Sequence, residues 1–273
     1  MNNLQTEILI GSLLGDGTLR KKNRGYKDNC TFIKNQCKKD KDGNDKIDYM
    51  KWHFDNFSPY SSSIGIVKKK EGQNQYEFRT KASPVFTELE KKWYIPSNKK
   101  NKRIKIIPRD IKLTPLSLCI WFMDDGTNYP EKRQAKIYSM SFTHEEHEFL
   151  CEVIKRDMGI SFKIQKYKHQ YNLYIPTEYY LEFINIIKTH CIWKCFLYKH
   201  DLSKYKKQAY ACGEACGRSK LKEKEVMEIF KLSNSGLKQT KIADMFNVRQ
   251  SAISRILSGK RWKHTNGGVS CHA

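Results

Sequence analysis

The sequence predicts an α+β fold made of two duplicated α-β-β-α-β-β-α units and a small all-α helix-turn-helix domain. An apolar stretch ends in Asp16-Gly17, and a second one ends in Asp125-Gly126, 109 residues further on. Strand and helix patterns follow both stretches in the same order, whereas the C-terminal segment has only short helical patterns. We therefore divide the chain into unit one, connector, unit two, linker and helix-turn-helix module, at residues 1–95, 96–112, 113–205, 206–220 and 221–273.

The two apolar stretches are predicted to be buried helices over residues 4–15 and 115–124. A helix that is apolar on nearly every side cannot face water. Gly11 and Gly15 lie four residues apart on one face of the first helix, where they allow another backbone to come close.

Each predicted helix ends in an aspartate followed by glycine. Gly17 and Gly126 are expected to form left-handed C-caps, which would place Asp16 and Asp125 at helix C-termini. A carboxylate there opposes the helix dipole and repels its counterpart, and divalent cations would offset both penalties. A simple cap followed by a turn is the alternative, but it does not explain the repetition.

Unit one continues with alternating and helical patterns. Lys34, Gln36 and Lys38 recur at every second position, which indicates a strand with these residues on one side. The predicted elements are a strand, a helix, a hairpin and a final helix, over residues 31–39, 45–57, 62–69 with 75–80, and 84–93.

The connector is predicted to be a basic loop, after which unit two repeats the order. Thr143 and Glu146 form a capping-box pattern at the start of a helix that ends at Gly159. The other predicted elements of unit two are a strand, a hairpin and a last helix, over residues 134–142, 161–167 with 171–176, and 177–190.

The C-terminal segment is predicted to contain three short helices, over residues 221–232, 238–246 and 249–257. Ala243, Asn247 and Ile253 are spaced like the close-packing alanine, the left-handed turn residue and the buried aliphatic residue of a helix-turn-helix. Exposed basic and polar residues follow, which favours DNA binding over a purely structural helical hairpin.

The composition points to a polyanionic partner. Lys and Arg number 51 against 29 Asp and Glu, which gives a net charge of +22. An AT-rich genome contributes lysine codons, but it does not suppress acidic residues. No apolar run is long enough to span a membrane, and we expect no secretory signal. The nine cysteines are an odd number, so we expect free thiols in a reducing compartment, either the cytoplasm of a bacterial or phage-infected cell or an organelle matrix.

The two aspartate stretches resemble the LAGLIDADG motifs of homing endonucleases, specifically the single-chain branch with two motifs. The second stretch, with Trp121-Phe122-Met123 before Asp124-Asp125-Gly126, is similar to intron-encoded members. The resemblance covers roughly residues 4–200. It implies a pseudo-twofold homing endonuclease core in which two antiparallel saddle sheets face DNA. The C-terminal segment resembles accessory helix-turn-helix modules of phage and intron endonucleases.

The resemblance also implies roles for residues of the site. Asp16 and Asp125 would each help to cut one DNA strand as catalytic metal ligands, with Mg²⁺ or Mn²⁺ as the cofactor. The Gly15 and Asp124 carbonyls would be further ligands. Lys105 and Lys199 match the lysines that such nucleases use near each site, although a surface lysine is an equally good interpretation.

Further residues are predicted to contact DNA from the sheets or from the C-terminal module. They are Lys34, Gln36, Lys38, Arg79, Arg133, Lys136, Lys163, Gln165, Arg249, Gln250, Ser251, Ser254, Arg255, Lys260 and Arg261.

The sequence therefore predicts a monomeric, metal-dependent, site-specific endonuclease that acts on double-stranded DNA. Two other functions stay open, namely a maturase that binds intron RNA and a non-catalytic helix-turn-helix regulator. Cys191, Cys195, Cys212 and Cys216 form two C-x3-C pairs with zinc-ligand character, but a helix end and a linker are poor settings for a structural zinc site.

Overall fold

The computed structural model describes residues 1–21, 29–69, 72–98, 102–205, 214 and 219–262. The chain divides into two compact units, Met1–Lys206 and Lys207–Ala273, which are described separately. Across the described residues, no helix combines the length and the apolar character needed to cross a bilayer.

The first half of the larger unit has the predicted order of elements. They are α1 (Asn3–Leu14), β1 (Gly17–Lys21), β2 (Cys30–Cys37), α2 (Ile47–Asn56), β3 (Ser61–Val67), β4 (Gln75–Thr80) and α3 (Pro84–Trp93). The strands pair antiparallel in the order β1-β2-β4-β3. A capping box starts α1, because Asn2 and Gln5 exchange side chain-to-backbone hydrogen bonds.

The connector differs from the predicted loop. It contains a two-stranded antiparallel sheet of β5 (Tyr94–Pro96) and β6 (Arg103–Lys105). Strands of three residues are too short to give a recognisable alternation in the sequence. Their pairing holds Lys105 beside the end of α1.

The second half repeats the first. Its elements are α4 (Pro115–Asp125), β7 (Gly126–Tyr129), β8 (Gln134–Ile137), α5 (His144–Met158), β9 (Lys163–Tyr167), β10 (Gln170–Ile175) and α6 (Tyr180–His190). The strand order is β7-β8-β10-β9, the same as in the first half. The predicted Thr143–Glu146 capping box and the Gly159 C-cap are both present. The predicted α+β fold with a duplicated core is therefore confirmed.

Helices α1 and α4 pack side by side with little between their backbones. A Cβ added to Gly11 would lie 2.4 Å from the Ser117 carbonyl oxygen, and one added to Gly15 would lie 2.7 Å from Cβ of Asp124. Gly11 lies near Ser117, and Gly15, one turn further along α1, lies near Asp124, which is further along α4. The two helices therefore run parallel, and they end together. The missing side chains of the two glycines make this close approach possible.

The prediction of left-handed C-caps at the two motif glycines is wrong. Gly126 has φ −87°, and Gly17 is the first residue of β1. Glycine is required at both positions because a side chain would collide with neighbouring atoms, and not because the backbone adopts an unusual conformation. A Cβ would lie 2.6 Å from the Ser12 carbonyl oxygen at Gly17 and 2.0 Å from the Phe122 ring at Gly126.

In its described residues, 214 and 219–262, the smaller unit contains the helices α7 (Glu223–Asn234), α8 (Gln239–Met245) and α9 (Gln250–Leu257). They enclose an apolar core that includes Val226, Ile242 and Ile253. Asn247 adopts the left-handed conformation, with φ 48°, in the turn between α8 and α9, as its sequence position predicts. The Val248 N–H donates to the Ala243 carbonyl oxygen (3.0 Å) and closes this turn.

Candidate active site

The two motif aspartates meet at one end of the paired helices. Asp16 follows α1 directly, and Asp125 is the last residue of α4. Since the helices run parallel and end together, the two side chains lie at the same end of the core. Asp16 reaches solvent and Asp125 is half-buried, so both are accessible to a ligand.

The surroundings of both carboxylates favour the protonated form. Partial loss of hydration raises the pKa of Asp16 to about 6, and repulsion from Asp124 adds to the increase. The same causes, together with repulsion from Asp16, raise the pKa of Asp125 to about 8. A bound cation would remove this electrostatic strain, and the pair is therefore suited to hold one.

One lysine contacts the C-terminal carbonyls of each motif helix. Lys105 Nζ donates to the carbonyl oxygens of Leu13 and Gly17 at 2.8 Å each. Lys199 Nζ donates to the carbonyl oxygens of Phe122 (3.0 Å) and Met123 (2.6 Å).

Desolvation lowers the pKa of both lysines to about 8. The site thus combines two carboxylates of raised pKa with two amines of lowered pKa, which is typical of residues that handle protons or charge.

Two residues predicted to contact DNA lie inside this site instead. The side chain of Lys34 is fully excluded from solvent, and Gln36 is 4% exposed. Lys34 Nζ lies 2.5 Å from Oδ2 of Asp124, and Gln36 Nε2 donates to Oδ2 of Asp16 at 2.8 Å. The prediction that both lie on the DNA-facing side is wrong, because both side chains point into the protein beside Asp16 and Asp124.

The sequence contained a signal for this orientation. Phe32, which is fully buried, shares a face of β2 with Lys34 and Gln36, because strand side chains alternate. Lys34 and Gln36 therefore lie on the same buried side of the strand as the apolar Phe32, and not on an exposed side. Two further residues of the pocket were not predicted: Lys46 Nζ donates to Oε1 of Gln36 (3.1 Å), and the Tyr49 hydroxyl donates to Oδ1 of Asp124 (3.0 Å).

Other predicted contact residues lie on the outer faces of the sheets. In the second sheet Lys136 points away from its buried neighbours Ala135 and Ile137, and it donates to Gln165 Oε1 at 2.8 Å. Lys163 shares this face by register. In the first sheet Arg79 is exposed and pairs with Glu77.

The remaining predicted contacts have mixed positions. Lys38, just beyond β2, is half-buried with Nζ 5.4 Å from the centre of the Tyr76 ring. Arg133 is also half-buried and has a left-handed backbone, with φ 49°. In the smaller unit, Ser254 is half-buried, whereas the other predicted residues are exposed, namely Arg249, Gln250, Ser251, Arg255, Lys260 and Arg261.

The donor set fits a magnesium-type ion better than zinc. Within the described part of the chain, no group of three or more His, Cys, Asp or Glu side chains could hold a metal ion by itself. Mg²⁺ needs only one or two carboxylates when substrate phosphates supply other ligands, and Asp16 and Asp125 can provide these. The Gly15 and Asp124 carbonyl oxygens stay predicted ligands, and the Gly15 oxygen lies 3.4 Å from Lys105 Nζ. The side-chain carboxylate of Asp124 is already occupied by hydrogen-bond donors.

The cysteine pairs are only partly described. Cys191 and Cys195 are buried free thiols, and Cys212 and Cys216 lie outside the described residues.

Comparison with known proteins points to one family. The model of the LAGLIDADG DNA endonuclease family matches residues 6–183. A probable intron-encoded endonuclease 1 of Wickerhamomyces canadensis is 27% identical over 202 residues, which are 70% of this chain and 82% of that protein. The solved structure of the homing endonuclease I-WcaI, bound to its DNA recognition sequence, is similar with a TM-score of 0.60 and 24% identity, and the match covers 73% of this chain and 87% of that one.

Two other similar proteins are named as maturases and not as endonucleases. The cytochrome b mRNA maturase bI2 of Saccharomyces cerevisiae is 27% identical over 169 residues, which are 58% of this chain. The maturase of the same name from Debaryomyces hansenii is 26% identical over 183 residues. The matches span 38% and 64% of the lengths of these two relatives.

Proposed function

The chain belongs to the LAGLIDADG DNA endonuclease family, and on that premise we propose that it is a site-specific endonuclease that hydrolyses both strands of a DNA duplex with divalent metal. The observation that carries the proposal is the pairing of Asp16 and Asp125 at one end of two parallel helices, each with its own lysine. Two equivalent sets of groups suit a reaction that is carried out twice, once on each strand.

The residues of the site have separable roles in this reaction. Asp16 and Asp125 would hold the divalent ions, which supply an activated water and stabilise the leaving oxygen when bound. Lys105 and Lys199 contribute positive charge close to the phosphate, and their lowered pKa lets either one release or accept a proton near neutral pH. Gln36 holds the Asp16 carboxylate in one orientation.

DNA recognition is proposed for the outer faces of the two sheets. Lys136, Lys163 and Gln165 in the second sheet and Arg79 in the first sheet are the candidates. Side chains on the outer face of a strand can reach base edges, and the lysines and arginines among them also neutralise phosphates. Because the two sheets have different side chains, the proposed target is asymmetric. We propose that a monomer carries both half-sites.

The smaller unit is proposed to extend the DNA contact. Arg249, Gln250 and Arg255 are exposed at α9, and a cleft of about 710 Å³ beside this helix is lined by Arg255 and Arg261 among others. We expect truncation after Tyr210 to weaken DNA binding at moderate salt more than it slows cleavage of bound DNA, because phosphate contacts are lost while the catalytic site stays intact. Filter binding and single-turnover cleavage measure the two effects, and unchanged affinity would contradict the proposal.

A second candidate function is favoured by the similarity to the two maturases. In that case the chain would bind intron RNA and promote its splicing. One experiment separates the two functions: the purified protein is incubated with Mg²⁺ and either DNA of its own locus without the intervening sequence or the corresponding RNA precursor. Double-strand cleavage of the DNA supports the endonuclease, whereas RNA splicing without DNA cleavage supports the maturase.

A further inference from the structure

The Asp124 carboxylate comes from the second motif helix but lies in the half-site of Asp16. Its Oδ2 is 2.5 Å from Lys34 Nζ, and its Oδ1 accepts a hydrogen bond from the Tyr49 hydroxyl (3.0 Å). The side chains of Asp124 and Lys34 are both fully excluded from solvent. This ion pair therefore connects α4 of the second half to β2 of the first half.

Two further hydrogen bonds link Asp124 to the metal-binding aspartate of the first half. The Asp16 backbone N–H donates to Asp124 Oδ2 at 3.3 Å. Gln36 Nε2 donates both to Oδ2 of Asp16 (2.8 Å) and to Oδ1 of Asp124 (3.2 Å). Four donors thus converge on one carboxylate, and two of them also determine where Asp16 lies.

The carboxylate of the second motif crosses into the first half-site, but the first motif has no equivalent side chain that could cross into the second half-site. Gly15 is the residue of the first motif that corresponds to Asp124, and a Cβ there would lie 2.7 Å from Oδ2 of Asp124. The glycine leaves the space into which this carboxylate crosses. The residue that corresponds to Lys34 is Ile137, because β1 pairs Gly17 with Lys34 and β7 pairs Gly126 with Ile137. Glycine and isoleucine have no polar side chain with which to build the reverse contact.

We propose that Asp124, paired with Lys34, is a positioning residue for the first half-site and therefore controls the cleavage of only one of the two DNA strands. The proposal rests on the proposed endonuclease function. Asp124 accepts hydrogen bonds from the groups that orient Asp16. Its negative charge repels Asp16 and Asp125 alike, but among the described residues no hydrogen-bond donor shared with Asp124 orients Asp125. Its negative charge is required, because a neutral amide has one acceptor oxygen for four donors and would leave the Lys34 ammonium buried without a counter-charge.

The test uses the full-length protein with Mg²⁺ and a linear duplex whose two strands carry different 5′ fluorophores. The duplex contains a site that the wild-type protein selects by cleavage from a randomised DNA library. In the Asp124→Asn variant we expect the cleavage rate of one strand to fall about 10–100-fold, the range typical for residues that support metal ligands. The other strand should be cut at a rate within about threefold of wild type, so that nicked duplex accumulates.

A matched control separates this role from general destabilisation. Asp157 also has an ion-paired carboxylate, and it accepts a hydrogen bond from the Leu113 N–H (2.8 Å) at the other end of α4. Asp157→Asn should lower the melting temperature without changing the ratio of the two strand rates.

A double variant keeps the test valid if Asp124→Asn folds poorly. Lys34→Met with Asp124→Asn removes both buried charges, so its melting temperature should return towards that of wild type. The slow cleavage of the one strand should remain, because Gln36 and the Asp16 N–H still lack their anionic acceptor. Recovery of both strand rates in the double variant would overturn the proposal.

The possible failures can be told apart. If wild-type protein selects no site from the library and cuts neither strand, the proposed endonuclease function fails. If the wild type cuts both strands and Asp124→Asn slows them equally, or slows neither, the endonuclease function stands and the positioning role of Asp124 is wrong.

Discussion

Each of the two half-sites contains one aspartate and one lysine at equivalent positions, but the residues around them differ. In the first half-site, Gln36 donates to Asp16, and Asp124 reaches in from the neighbouring helix. In the second, the position that corresponds to Gln36 is Ser139, which is buried and hydrogen bonds His147 Nε2 at 2.8 Å. The pKa of the aspartate is about 6 in the first half-site and about 8 in the second.

This comparison teaches which parts of a duplicated site must stay alike. The groups proposed to meet the metal and the phosphate are retained in both halves. The residues that support them have diverged, because each half needs only one workable way to hold its aspartate. The two halves should therefore perform the same reaction with different sensitivities to mutation and to pH.

The largest effect is expected from removing either metal-binding carboxylate. Asp16→Asn and Asp125→Asn should each reduce double-strand cleavage by more than about 100-fold, because an amide cannot replace the charge that a divalent ion requires. Residual nicking should fall on opposite strands in the two variants, and DNA binding should persist. Denaturing gels of a duplex labelled on both strands measure this, and undiminished cutting by either variant would break the comparison.

A smaller effect is expected from the two lysines. Lys105→Met and Lys199→Met should each slow cleavage about 100-fold, the lower end of the contribution that is typical of one group that transfers protons. Each variant should affect mainly the strand served by its own half-site, since the two lysines donate to carbonyl oxygens at the ends of different motif helices. Equal slowing of both strands by either variant would argue for one shared site.

The pH dependence of metal binding should reveal the difference between the aspartates. For both carboxyls the pKa in the folded state is raised above the ordinary aspartate value of 3.8. The metal-free folded protein then binds more protons than the unfolded chain, and its stability falls as pH rises from about 4 to 8. Mg²⁺ must displace these protons, so its apparent affinity should increase with pH.

Asp125, with a pKa of about 8, is the carboxyl that still releases its proton above pH 6. Apparent Mg²⁺ affinity should therefore rise by up to about tenfold per pH unit between pH 6 and 8, and Asp125→Asn should flatten this rise whereas Asp16→Asn should largely preserve it. Calorimetric titration of wild-type protein and both variants provides the values. A pH-independent affinity would contradict the assignment of both carboxylates as ligands.

The smallest effect concerns the packing that brings the half-sites together. Gly11→Ala should reduce the free energy of unfolding by about 1–3 kcal/mol, because its Cβ would overlap the Ser117 backbone of α4. Gly65→Ala is the matched control, since no heavy atom of the described residues beyond Gly65 and its two chain neighbours lies within 4 Å of a Cβ at that position in β3. Urea denaturation compares them, and equal stability of the two variants would mean that the helices can move apart.

Features with strong local signals could be predicted from the sequence. The repeated Asp-Gly ends indicated the duplication, and the Thr143–Glu146 and Asn247 patterns indicated a capping box and a tight turn that the structure contains. Lys105 and Lys199 were predicted from the family resemblance. Both lie at the ends of the motif helices, and their catalytic role stays a proposal.

Features that depend on tertiary packing could not be predicted in the same way. The alternation of β2 predicts a strand but not the direction in which each side chain points, so the expectation that Lys34 and Gln36 face DNA is wrong. The sequence predicts left-handed C-caps at Gly17 and Gly126, whereas close contacts with Ser12 and Phe122 of the preceding helices exclude a side chain there. The crossing of Asp124 into the other half depends on Gly15, 109 residues away, and no local pattern contains it.

Anomalous diffraction from Mn²⁺ in crystals of the protein bound to a DNA that it cleaves tests the central claim most directly. The account predicts manganese peaks within about 2–2.5 Å of the carboxylate oxygens of both Asp16 and Asp125 and beside the phosphates to be cut. Peaks that avoid either aspartate, or a DNA backbone that does not reach the ends of α1 and α4, would contradict it.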